Sequence, residues 1–122
     1  MNRAWIFVAL TLLGTVAGQL VLKYAISRHG QIPGDLPAAA GFIGRALTDP
    51  LVLLSLALAF AASLAWIAAV SRLTLGQAYP FMSLAFVFTA LLSTLLLGES
   101  ISPMRWAGLL VVVAGLVLVA EG

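Results

Sequence analysis

The sequence predicts an all-α membrane protein: four transmembrane helices with short loops, apart from a longer first loop. Three observations carry this. Hydrophobic residues make up 63% of the 122 residues and charged residues only 8%, against roughly 25% charged in a soluble domain. Four apolar runs of spanning length recur at about 4–26, 51–71, 76–97 and 104–120. Clusters of Gly, Pro and Ser separate them and punctuate the helices. The length suits one four-helix domain over residues 1–122. Cysteine is absent, which excludes disulfides and thiol chemistry. A net charge of +2 from only ten charged side chains gives no reason to expect a nucleic-acid partner.

The first span opens on Met1-Asn2-Arg3, which is signal-like at first sight. The apolar run from Ala4 to Tyr24 is too long for a signal core and has no small-residue cleavage site, so it is expected to be retained. Thr11, Thr15, Gln19 and Lys23 recur at intervals of four and draw one polar stripe down this helix. Gly14 and Gly18 form a GxxxG step on an adjacent face, where a second backbone can approach closely. Ser27 to Asp49 breaks the pattern with Pro33, Gly34, Asp35 and Pro37. Ala38 to Thr48 is apolar but too short to span. It reads either as an interfacial helix with Arg45 near lipid phosphates or as an ordered loop.

Asp49 and Pro50 cap and open the second span, in which Ser55, Ser63 and Trp66 stand out. Trp66 is read as an interface anchor or as core packing. The short link Arg72–Leu75 predicts that spans two and three are antiparallel neighbours. The third span begins GQAYPFMS. Pro80 removes a helical hydrogen bond, and the freed carbonyl near Gly76, the Gln77 amide and the Tyr79 hydroxyl are expected to form a polar patch. A kink with no ligand is the plainer reading. Ser102 and Pro103 open the fourth span, where Gly108 and Gly115 lie one heptad apart and suggest a helix–helix contact.

Little supports catalysis. His29 has no partner of metal-binding type nearby in sequence, and Asp35, Asp49, Glu99 and Glu121 sit at span ends or in loops. No metal or cofactor is expected. Glu99 is read as binding Arg105 or capping the turn, with a gating role as the third choice. Lys23 either faces a cavity or snorkels to the interface. Because no acid lies inside a span, a site near Lys23 would be basic and suited to an anion such as phosphate. The positive-inside count puts Lys23, Arg28, Arg45 and Arg105 on the cytoplasmic side against Arg3 and Arg72, a margin too narrow to fix orientation.

The stretches VAGQLVLKYA, GQAYPFMSLAFVFTALLSTLLLGESISPMRWAG and GLLVVVAG resemble the drug/metabolite transporter superfamily, and within it the small four-helix members. The likeness is to subunits of the aminoarabinose–undecaprenyl-phosphate flippase, and more distantly to the small multidrug resistance exporters. It covers nearly the whole chain apart from Ser27 to Asp49. Against the exporters, Thr15 stands where their first-span glutamate is expected and Met82 where their cage tryptophan falls, while Tyr79 is kept. The resemblance implies a bacterial inner-membrane transporter working as a homodimer or with a related small subunit through Gly108 and Gly115. Its implied substrate is a polyprenyl-phosphate sugar or similar anionic lipid, flipped between leaflets. Thr15, Gln19, Lys23, Gln77, Tyr79, Pro80 and Ser83 are then the substrate-binding residues. Loss of the glutamate weighs against the alternative, proton-coupled export of small cationic or polar metabolites. A third reading is a non-transporting assembly partner.

Overall fold

The computed structural model describes residues 3–122; Met1 and Asn2, the head of the signal-like stretch, lie outside the described residues. The chain runs α1 (Arg3–Ser27), α2 (Leu36–Ala46), α3 (Pro50–Val70), α4 (Leu75–Ala78), a 3-10 turn (Tyr79–Ser83), α5 (Leu84–Leu97) and α6 (Pro103–Glu121). α1, α3, α6 and the segment Leu75–Leu97 are long and apolar enough to cross a membrane. Large apolar side chains such as Leu13, Phe60, Phe86, Leu95 and Leu110 stay exposed around all four. Lipid, unlike water, tolerates such a surface.

The packed heart of the molecule is the pair α1–α3. Gly14 and Gly18 let the two backbones meet: a Cβ on Gly14 would lie 3.0 Å from Ala62 Cβ and 3.2 Å from the Leu58 carbonyl oxygen, and one on Gly18 3.2 Å from the Ser55 carbonyl. The GxxxG step is thus used within the chain. About 22% and 17% of the spanning windows of α1 and α3 are buried, against 6% for each of the other two. α5 and α6 are therefore held lightly, and Leu116 is the buried residue of α6.

Spans two and three meet at the end they share and then part: α3 touches the entering helix α4 and the Tyr79 ring, while α5 packs chiefly on α1. The reason lies in residues 75–83. α4 and the 3-10 turn carry the chain across the start of α1, where Phe81 meets Trp5 edge-to-face with ring centroids 5.0 Å apart. Pro80, at the start of the 3-10 turn, interrupts the α-helix instead of merely kinking it.

At the opposite end, the loop question resolves as a helix. Asp35 caps α2 by accepting from the Ala38 N–H, Pro37 sits in its first turn, and the helix starts at Leu36, two residues before the apolar run suggested. Phe42 and Ala46 are buried, and Ala46 joins Ala25 and Val52 in a small core against the ends of α1 and α3.

Asp49 closes this end. As the N-cap of α3 it accepts from the Leu51 N–H at 2.9 Å, and its buried carboxylate also takes Arg28 at 3.0 Å and His29 Nε2 at 2.8 Å. One side chain therefore clasps α1 to α3. The His29 hydrogen bond, then the Leu51 N–H and Arg28, hold the Asp49 carboxyl below its ordinary value of 3.8, against an opposing effect of burial. A carboxyl depressed on folding stabilises the fold above its ordinary value, and that contribution disappears as pH falls through the depressed one. Asp49→Asn should therefore melt below the wild type at neutral pH, with the gap closing below about pH 4. Thermal unfolding in detergent across pH 2–7 checks this, and a gap independent of pH would refute it.

Candidate functional site

Along the α1–α3 pair runs a groove of about 510 Å³. α1 contributes Thr11, Thr15 and Gln19; α3 contributes Ser55, Ser63 and Trp66; the 3-10 turn adds Tyr79 and Met82. The helical spacing of each set puts it on one face. Trp66 and Tyr79 meet edge-to-face at 5.9 Å between centroids.

The polar groups divide by how they are satisfied. Thr11, Ser55 and Ser63 hydroxyls donate back to the carbonyls of Phe7, Val52 and Ala59, keeping only acceptor capacity. Among the described residues, the side chains of Thr15, Gln19 and Tyr79 have no hydrogen-bond partner, so their donors remain free for a ligand. The lining carries no charged side chain. It is a neutral, hydrogen-bonding trough with an aromatic pair near one end.

The other sequence-level candidates fall elsewhere. Lys23, one turn beyond Gln19, is outside the lining; its ammonium lies 3.6 Å from the Glu99 carboxylate in the α5–α6 turn. Tyr79 therefore faces Trp66 and not Lys23. Glu99 goes to Lys23 and not to Arg105. Gln77 is spent locally: its side-chain oxygen accepts from the Thr74 N–H at 3.1 Å while its own N–H donates to the Thr74 hydroxyl, a capping box that starts α4. Gln77 is not among the residues that line this groove with Tyr79. Pro80 sets the 3-10 turn that presents Tyr79, and Ser83 donates to the Pro80 carbonyl at 2.6 Å.

A family model described as the EamA-like transporter family matches residues 36–120. The chain belongs to that family. No solved structure matches it. The protein is thus a multi-pass membrane transporter of the drug/metabolite type. The match runs from α2 to α6 and leaves α1, and with it the α1 wall of the groove, outside.

One groove residue of this EamA-like transporter was not singled out as a site residue from the sequence. Trp66, read there as an interface anchor or as core packing, lines the groove as well as packing on the buried cluster around Ala4, Val8 and Ala69. Its signal was the run Ser55, Ala59, Ser63, Trp66, which keeps one helical face. On α6, Gly108 and Gly115 have nothing within 4 Å of where a Cβ would stand, so this face is uncovered within the chain.

Proposed function

We propose that this chain is one subunit of a dimer in the bacterial inner membrane that moves a polyprenyl-phosphate sugar between leaflets. The observation that carries this reading is the division between a neutral trough and a cation one helical turn beyond it. Thr15, Gln19 and Tyr79 offer hydrogen bonds to sugar hydroxyls, and Trp66 and Tyr79 offer aromatic faces to the ring's C–H groups. Lys23 supplies the charge for the phosphate. The apolar tail stays in the bilayer and enters between helices. Gln19 and Tyr79 are exposed in the single chain, so a second subunit is needed to enclose the headgroup. The uncovered Gly108–Gly115 face of α6 supports assembly there with a second copy or a related small subunit.

The test is flipping of a fluorescent polyprenyl-phosphate sugar in proteoliposomes. A charge-assisted hydrogen bond contributes about 1.5–3 kcal/mol, so Lys23→Ala should slow flipping about tenfold or more. An unchanged rate would sink the role of Lys23. The uncharged lining favours one competitor, export of a small neutral polar metabolite. That reading predicts transport indifferent to Lys23→Ala but lost in Gln19→Leu.

A further inference from the structure

The contact between Lys23 and Glu99 is loose. At 3.6 Å it exceeds hydrogen-bond length, and the two side chains are 61% and 42% exposed. An exposed pair of this kind is worth little and is easily exchanged for a better partner.

Glu99 has a second cation close by. It lines, with Arg105, Ser93 and Gly108, a groove of about 560 Å³ between α5 and α6. The Arg105 backbone N–H caps α6 on the Ser102 hydroxyl, yet among the described residues no carboxylate lies within ion-pair distance of its guanidinium. Lys23, Glu99 and Arg105 thus form a group of two cations and one anion, with one positive charge uncompensated. A monoanionic phosphodiester is the ligand that brings such a group to neutrality.

The turn that carries Glu99 permits a change of partner. Gly98 caps α5 in the left-handed conformation, with φ of 72°. The Glu99 N–H is tied to the Ser93 carbonyl at 3.3 Å, while its side chain is bound only by the loose pair. Both anchors of the turn are backbone ones, so the Glu99 side chain can rotate without releasing them.

Resting on the phosphate reading above, the geometry points to Glu99 as a two-position counter-ion. It holds Lys23 while the site is empty, and turns to Arg105 when a phosphodiester takes Lys23. All four charges are then paired. The swap also removes the ion pair between α1 and the α5–α6 turn, while the packing of α5 on α1 stays in place.

Binding of a short-chain alkyl phosphoglucose diester to the detergent-solubilised full chain, followed by calorimetry, tests this. Glu99→Gln should bind about as tightly as wild type, because it removes the competing pair with Lys23 and the compensating pair with Arg105 together. Arg105→Gln should bind about fivefold weaker, because the released carboxylate then has no partner. The double variant should match Glu99→Gln alone. The switch is overturned if Arg105→Gln binds as tightly as wild type, or if it weakens binding equally in both backgrounds, which would make Arg105 a direct phosphate ligand. Glu99→Ala, expected to act like Glu99→Gln, guards against an effect of the new amide. Lys23→Ala separates the two levels. Binding that depends on Lys23 but ignores Arg105 overturns the switch and leaves the phosphate site standing. Binding indifferent to Lys23, or absent throughout, overturns both.

Discussion

Gly14→Leu is expected to destroy the folded protein, while Gly14→Ala is expected to be nearly neutral. The two substitutions place the same Cβ 3.0 Å from Ala62 Cβ and 3.2 Å from the Leu58 carbonyl oxygen. A methyl group needs a shift of a few tenths of an ångström between α1 and α3. Against that strain stands the gain of about 1 kcal/mol when alanine replaces glycine inside a helix. Leucine brings three further heavy atoms into a contact whose far side is backbone. Overpacking costs about 1–3 kcal/mol even in cores that can yield, and here the contact is the principal one that holds the chain together. Thermal unfolding in detergent should show Gly14→Leu with no cooperative transition, and Ala62→Gly should partly rescue Gly14→Val. A Gly14→Leu protein that melts like wild type would mean that α1 and α3 are not packed through this step.

The parts of the fold that sequence made legible are those written in local spacing. Gly14 and Gly18 stand four apart, Asp49-Pro50 and Ser102-Pro103 mark helix starts, and Thr11, Thr15 and Gln19 fall on one face; all need only helical geometry to interpret. What sequence hid are pairings between distant segments. That Asp49 caps α3 follows from its position, but its clasp on Arg28 and His29 requires α1 and α3 to be brought end to end. Lys23 and Glu99 give no mutual signal, since either charge alone reads as a span-end residue. Gln77 misled for the opposite reason. A local capping box with Thr74 outcompetes a longer-range role, and Thr-x-x-Gln was present in the sequence to be noticed. The path of α5 was illegible because a short connector constrains where a helix begins, whereas the 3-10 turn decides which neighbour it then follows.

Under the proposed function, Lys23→Glu should reduce flipping of a polyprenyl-phosphate sugar at least a hundredfold, well beyond the loss in Lys23→Ala. Alanine removes an attraction and leaves Glu99 alone at the rim. Glutamate removes that attraction and sets two carboxylates side by side where the ion pair stood, so the phosphate meets repulsion as well. At an effective dielectric near 20, two unit charges 4 Å apart interact by about 4 kcal/mol; screening by water at this exposed position reduces that, yet even half suffices for the added factor of ten. The exchange variant Lys23→Glu/Glu99→Lys separates the two contributions. It restores an ion pair across α1 and the α5–α6 turn, so the thermal stability should return to the wild-type value. It also returns one ammonium to the rim, displaced from α1 to the turn, so flipping should recover only in part. If Lys23 matters solely as a tie between helices, stability and flipping would recover together and completely, and the phosphate site would have to be sought elsewhere. If flipping recovers in part while stability recovers in full, the position of the cation relative to Gln19 and the neutral trough is what the substrate reads.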